Sequence, residues 1–221
     1  MVTYKEIREN ETIKTYIRMA DKTLESMKFT EHSFAHVVRC ADVAGNILRE
    51  LGYDERTVEL AQIAAYMHDI GNIVNRIDHA QSGAVMAFRL LDELGMKAEE
   101  IARIVTAIGN HDEKTAFPVN EIAAALILAD KSDVRRSRVR AEERATISTD
   151  IHDRVNYAVE KSKLALDDEN KKFILYLTID EKISLISEYF EIFLDRMMLC
   201  RKAAAFFEKG FEVNINGTRV M

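Results

Sequence analysis

The chain has 221 residues, enough for one large domain or a main domain with an appendage, and either can bury a sizeable core. Hydrophobic residues make up 48% and charged residues 31%, while one proline and eight glycines favour long uninterrupted helices. A formal charge of −6 lacks the basic excess that displaces counterions from a duplex, so bulk nucleic acid is not an expected partner.

Residues 1–11 are polar and charged, and no run of about 18 apolar residues occurs, so neither a signal peptide nor a membrane span is expected and the expected location is cytoplasmic. Cys40 and Cys200 are too few and too far apart for a disulfide framework, and each sits in an apolar helical pattern as a small hydrophobe. From residue 4 to about 144 helices follow one another with no strand pattern and no repeat. A helix over 31–51 carries Arg39, Asp42, Asn46, Arg49 and Glu50 on one narrow stripe. His36 falls about a quarter turn away, in line with Cys40, Val43 and Ile47, and should point inward. His32 leans toward the polar stripe and is the weaker ligand candidate.

The next helix, over 54–70, opens on Asp54 as N-cap and meets a natural stop at Gly71. Val58, Ala61, Ile63, Ala64, Ala65 and Met67 precede His68 and Asp69, so the pair should emerge from the interior, where a carboxylate needs a cation or strong donors. By itself the pair fits a capping carboxylate and a core histidine equally well. The same dipeptide recurs as His111-Asp112 and His152-Asp153, and His152, ahead of an expected hairpin, is given no catalytic role. Asp78 opens a helix over 78–94 with His79 in its first turn and Gly83 leaving room for close approach. A helix over 97–109 runs through Ile101, Ile104, Val105 and Ile108 to the breaker Gly109, and His111 follows. After Pro118, a helix over 120–131 closes an apolar run on Asp130, an anion that needs a partner. Lys131, Arg135, Arg136, Arg138, Arg140 and Arg144 then read as a solvated helix face, with Lys131 and Arg135 as candidate substrate-binding contacts to phosphate.

After residue 150 the pattern changes. Val155, Tyr157, Val159, Leu164 and Leu166 alternate with polar residues, 167–170 looks like a turn, and 173–179 is rich in strand formers, which predicts a β-hairpin. Asp180 should cap a long amphipathic helix to about 209. Its broad apolar face, with Ile183, Ile186, Tyr189, Phe190, Phe193, Leu194 and Met197, reads as core more readily than as the surface of a homodimer. Residues 211–220 alternate around an Asn216-Gly217 turn. The expected fold is mostly α, with a helical domain over 1–150 and a small C-terminal α+β extension over 151–221.

His36, His68, Asp69, His79, His111 and Asp130 offer nitrogen and oxygen without thiolate, a set suited to iron, manganese, magnesium or zinc, and carboxylates permit bridging between two ions. Their order, carried by Phe34-Ala35-His36, Met67-His68-Asp69-Ile70-Gly71-Asn72, His79-Ala80-Gln81-Ser82-Gly83, Gly109-Asn110-His111-Asp112 and Leu128-Ala129-Asp130-Lys131, resembles the HD superfamily of metal-dependent phosphohydrolases over roughly 31–144. The resemblance implies an HD-domain helical bundle in which His36, His68, Asp69 and Asp130 hold one divalent metal ion. In the similar binuclear relatives, among them diadenosine tetraphosphate hydrolases and HD-GYP phosphodiesterases, residues matching His79 and His111 hold a second ion and the residue matching Asp69 bridges. Asn72 and Asp112 stand where the HD-GYP group commonly has lysine and histidine, and no Gly-Tyr-Pro element is present, which argues against a cyclic dinucleotide phosphodiesterase. The implied activity is hydrolysis of a phosphate ester or anhydride in a small nucleotide or related metabolite, with His68 and Asp69 at the catalytic centre and a small phosphorylated substrate as partner. A similar ligand set serves di-iron HD oxygenases, and a non-catalytic nucleotide-binding module is the third reading.

Overall fold

The structure is a computed structural model that describes residues 1–140, 147 and 150–221. It divides into two compact units, Met1–Asp130 and Lys131–Met221. That division falls at the end of a helix, ahead of the change of pattern at residue 150 that suggested the sequence boundary.

In the first unit the described residues form helices α1 (Tyr4–Glu9), α2 (Glu11–Ser26), α3 (Phe34–Glu50), α4 (Glu55–Met67), α5 (His79–Glu93), α6 (Ala98–Gly109) and α7 (Glu121–Lys131). Helix α2 is amphipathic and buries Ile13, Ile17, Ala20 and Leu24, one turn apart along a single face. Helices α4 and α7 are different, because apolar residues surround them. Val58, Leu60, Ala61, Ile63, Ala64, Ala65 and Met67 are buried on α4, and every residue from Ile122 to Ala129 is at most 1% exposed. A helix that is apolar all round runs through the interior, and each buried large aliphatic side chain contributes about 1.5–3 kcal/mol there. Polar groups at the ends of these two helices therefore emerge into dry surroundings.

The caps follow the chain closely. Asp54 accepts from Thr57 N at 3.0 Å, and Asn120 Oδ1 accepts from Ala123 N at 2.7 Å. Asp78 also opens its helix, but not through its side chain: it adopts a left-handed conformation at φ 57° and its carbonyl receives Ser82 N at 3.0 Å. Helix α4 ends at Met67, short of the expected 70, and a 3-10 turn over Ile70–Ile73 follows His68 and Asp69. Gly71 sits inside that turn and does not stop a helix.

In the second unit the basic cluster is no solvated helix face. Lys131 and Arg138 are buried, a short 3-10 turn spans Arg136–Arg138, and Arg144 lies outside the described residues. Arg135 Nε donates to Asp133 Oδ1 at 2.9 Å, Arg138 Nη1 to the Asp133 carbonyl at 2.9 Å, and Arg136 Nε to the Tyr157 carbonyl at 2.6 Å. These guanidiniums tie turns together within the unit.

Val155 and Tyr157 are helical, not part of a strand, because Asp150 caps helix α8 (Ile151–Ala158) by accepting from His152 N and Asp153 N. Strands β1 (Val159–Asp167) and β2 (Lys172–Ile179) then form the expected antiparallel hairpin. Helix α9 (Ile186–Phe206) crosses over, so that β3 (Gly210–Ile215) pairs with β2 in parallel, and β4 (Thr218–Arg219) closes the order β1-β2-β3-β4. Asn216 and Gly217, at φ 52° and 85°, make the β3–β4 turn as expected. Tyr189, Phe193, Met197, Cys200 and Ala204 form the buried face of α9, whereas Leu194 is exposed.

Asp180 does not cap α9; its Oδ1 accepts from Lys182 N in a preceding turn. The start of α9 is held instead by Glu188, which accepts from Leu185 N at 3.1 Å, Ser184 Oγ at 2.7 Å and Arg154 Nη2 of α8 at 2.5 Å. Arg154 and Ser184 push the Glu188 carboxyl down to about 2 from its ordinary 4.5. A depressed carboxyl contributes stability that is fully present above the unfolded value and lost as pH falls toward the folded one. Glu188→Gln should therefore lower the urea midpoint at neutral pH, with a deficit that shrinks between about pH 4.5 and pH 2. A deficit equal at pH 7 and about pH 3 would refute this linkage.

Candidate metal centre

Each expected ligand stands at a helix end or within two residues beyond it. His36 comes from the first turns of α3, His68 and Asp69 directly follow α4, His79 begins α5, His111 follows α6, and Asp130 lies in the last turn of α7. All six are buried in the first unit, at 9% exposure or less. Their approach depends on glycine. A Cβ at Gly71 would come within 2.0 Å of the His79 carbonyl and 2.4 Å of Gly83 N, and one at Gly83 within 3.2 Å of the His68 carbonyl. Bare backbone at both positions lets the turn after Asp69 press against the first turn of α5, which brings His79 to the pair.

His36 Nε2 lies 3.3 Å from Asp130 Oδ1 and 3.6 Å from Asp69 Oδ2. His68 Nε2 lies 3.1 Å from Asp69 Oδ2 and 3.8 Å from Asp130 Oδ1. On the other side, His79 Nε2 is 3.6 Å from Asp69 Oδ1 and 3.2 Å from His111 Nε2. Asp69 thus turns one oxygen toward His36 and His68 and the other toward His79. Two groups, His36, His68 and Asp130 and then His68, Asp69 and His111, each present one donor atom per residue within 4.8 Å of one another.

Three of the rings share a fixed orientation. His68 Nδ1 meets the Ala65 carbonyl at 2.7 Å, His79 Nδ1 the Arg76 carbonyl at 3.0 Å, and His111 Nδ1 the Ile108 carbonyl at 2.6 Å. A carbonyl only accepts, so Nδ1 carries the proton and Nε2 presents a lone pair inward. Behind the site, Asn72 Nδ2 donates to Asp69 Oδ1 at 2.8 Å and to its carbonyl at 2.9 Å. The sequence marks Asn72 only as a departure from the HD-GYP pattern and assigns it no role, because an asparagine in a short turn carries no periodic signal. Lys131 and Arg135, singled out for their charge, fall in the second unit, where Arg135 is engaged by Asp133.

The electrostatics match a cation site. Burial works against a charged His68, but Asp69 beside it and Asp130 beyond raise its pKa above the ordinary value. Burial likewise opposes a charged Asp69, yet His68, His32 and His79 hold its carboxyl well below the usual range. His68 Nε2 and Asp69 Oδ2 are nevertheless buried without a hydrogen bond. An unsatisfied imidazole lone pair and carboxylate oxygen, side by side in a dry site, fit a divalent cation, and the all-nitrogen-and-oxygen donor set suits a borderline or hard one.

Comparison with known proteins agrees. A family model described as HD domain matches residues 33–154, a stretch that contains all six residues. Ribonuclease Y of Mycoplasma mycoides is 30% identical over 138 residues, 62% of this chain and 31% of that protein. Ribonuclease Y of Cutibacterium acnes is 30% identical over 112 residues, 49% of this chain and 20% of the relative. Uncharacterized protein MJ1020 of Methanocaldococcus jannaschii is 25% identical over 159 residues, 62% of this chain and 61% of the relative. The chain spans less than a third of the two ribonucleases. With the family model matching more than half of its length, the chain belongs to the HD domain family, within a superfamily of metal-dependent phosphohydrolases.

Proposed function

We propose that this protein hydrolyses phosphoester bonds of ribonucleotides, with phosphodiesters of short RNA as the substrate class. The observation that carries the reading is the buried meeting of four imidazole nitrogens and two carboxylates at the helix ends. In it, His36, His68, Asp69 and Asp130 would hold one divalent ion and His79 and His111 a second, with the two oxygens of Asp69 turned toward the two groups of ligands. Such ions lower the pKa of water to near neutrality and neutralise charge on phosphoryl oxygens. The chain's own part is to fix the ligands through the Ala65, Arg76 and Ile108 carbonyls, to hold Asp69 with Asn72, and to keep bulk water from the buried carboxylates. The likeness to proteins named as ribonucleases supports the polymer substrate. A formal charge of −6 supports a second reading, the small nucleotide expected from the motifs, because an acidic protein gains little from an extended polyanion.

The test loads the protein separately with manganese, iron, magnesium and zinc under argon. Each form is offered short oligoribonucleotides, mononucleotides and dinucleoside polyphosphates. We expect metal-dependent release of nucleotide or phosphate without oxygen, fastest from the oligoribonucleotides. Faster cleavage of the small compounds selects the second reading. Oxygen uptake coupled to product formation, or tight nucleotide binding with no turnover of any compound, sinks the hydrolase in favour of an oxygenase or a binding module.

A further inference from the structure

We propose that Arg76 grips the phosphoryl group of the substrate beside His79, a role that rests on the phosphohydrolase reading. Arg76 lies in the turn between the Ile70–Ile73 segment and α5, where no periodicity marks it. Its Cζ stands 5.7 Å from the centroid of the Phe29 ring, so the guanidinium is laid over an aromatic face. Nη1 reaches Asn72 Oδ1 at 3.3 Å and His79 Nε2 at 3.4 Å. Among the described residues no carboxylate pairs with Arg76, and its Nε and Nη2 make no hydrogen bond. A partly buried guanidinium usually has an anion beside it. Here the neighbours are an amide, an imidazole and a phenyl ring, none of which carries a negative charge, and they fix its position without pairing its charge.

That position is tied to the carboxylate at the centre of the site. Asn72 donates to Asp69 Oδ1 through Nδ2 and accepts from Arg76 through Oδ1, so one side chain orients both. His79 cannot offer its Nε2 lone pair to Arg76 and to a divalent cation together. With His79 serving as a ligand, a guanidinium held by Phe29 and Asn72 faces a second positive charge at short range. An anion that touches both removes the repulsion, and a phosphoryl group, with several oxygens on one phosphorus, can reach the guanidinium and the ion together. The planar donor fork of arginine meets two such oxygens in parallel hydrogen bonds, which an ammonium cannot reproduce. Val74 and Ile77 in the same turn are exposed, so the turn that carries Arg76 lies at the protein surface.

A purely structural role for Arg76, pinning the turn through the Phe29 stack, would change stability and leave anion affinity alone. The experiment separates the two. The whole chain, loaded with manganese, is titrated calorimetrically with inorganic phosphate as wild type, Arg76→Ala and Arg76→Lys, with bound metal and melting temperature measured on the same samples and KM measured where turnover is found. Arg76→Ala should retain its metal and weaken phosphate binding about ten- to hundredfold, the loss of one or two charge-assisted hydrogen bonds, with KM rising in step. Arg76→Lys should recover only part. Unchanged phosphate affinity in Arg76→Ala overturns the inference. If that variant loses its metal or its fold, Arg76→Lys decides, and wild-type phosphate affinity there overturns it equally. Turnover by the wild type with unaltered phosphate binding in both variants removes Arg76 alone, whereas a wild type that neither binds phosphate nor turns over any substrate removes the phosphohydrolase reading and Arg76 with it.

Discussion

Replacing Asp69 by asparagine is expected to lower metal-dependent turnover by at least about a hundredfold, because removing even an outer partner of a metal ligand costs ten- to a hundredfold. The two oxygens of Asp69 face the two halves of the site, Oδ2 3.1 Å from His68 Nε2 and Oδ1 3.6 Å from His79 Nε2. An amide keeps the shape and the acceptor for Asn72 but gives up the charge and one of the two acceptor oxygens. The stability of the protein should report the same loss by a route independent of substrate. A ligand that binds only the folded state adds about 2.7 kcal/mol at a concentration one hundred times its dissociation constant. Wild-type protein should gain stability of that order when a divalent ion is added to chelator-treated samples, and Asp69→Asn should gain little. In chelator alone the order reverses or vanishes, since the variant no longer desolvates a carboxylate. Asp69 also raises the pKa of His68, so the variant should hold His68 neutral to lower pH than the wild type does. Full turnover together with the full metal-linked rise in melting temperature in Asp69→Asn would remove Asp69 from the proposed ligand set.

The ligand set is legible in the sequence because a polar residue on an apolar helix is conspicuous. His68 and Asp69 end the buried run of α4, Asp130 ends that of α7, and His36 interrupts the apolar face of α3, so burial at each could be argued before any fold was known. The residues that tune those ligands are silent. Asn72 and Arg76 lie in a short turn where period carries no information, and the Ala65 and Ile108 carbonyls act through the backbone, whatever their side chains.

In the second unit local chemistry decided where pattern misled. Alternation through Val155, Tyr157 and Val159 satisfies a strand template, but Asp150 captures two backbone N–H groups and starts a helix that carries through Ala158. Alternation resumes correctly only at Val159. Asp180 has the composition of a cap, yet its side chain closes a turn five residues early, and Glu188 reaching back to Leu185 N sets the true start. The parallel pairing of β2 with β3 is invisible to any local reading, because its partners are separated by the whole of α9.

Gly71→Ala is expected to be the most damaging single methyl addition in the first unit. As a helix stop, Gly71 would tolerate alanine at little cost, since its φ is not in the left-handed region. Its packing requires otherwise: the new Cβ would stand 2.0 Å from the His79 carbonyl and 2.4 Å from Gly83 N, both backbone atoms that cannot swing aside. Relief requires the turn after Asp69 to back away from α5. Overpacking of this kind costs about 1–3 kcal/mol and at times more. The displacement also lands on function, because the same two backbones carry His68 and Asp69 on one side and His79 on the other. A shift near 1 Å between ligand groups can cost about a hundredfold in rate. Gly83→Ala, with its nearest contact at 3.2 Å, should give a smaller loss of the same kind. Gly109→Ala, whose Cβ would meet only Ala84 Cβ at 3.7 Å, should leave the site intact and stabilise the end of α6 by up to about 1 kcal/mol. Melting temperature and metal affinity measured across the three variants should therefore fall in the order Gly109, Gly83, Gly71. Equal behaviour of Gly71→Ala and Gly109→Ala would mean that the turn and α5 do not need bare backbone to bring His79 to the His68-Asp69 pair.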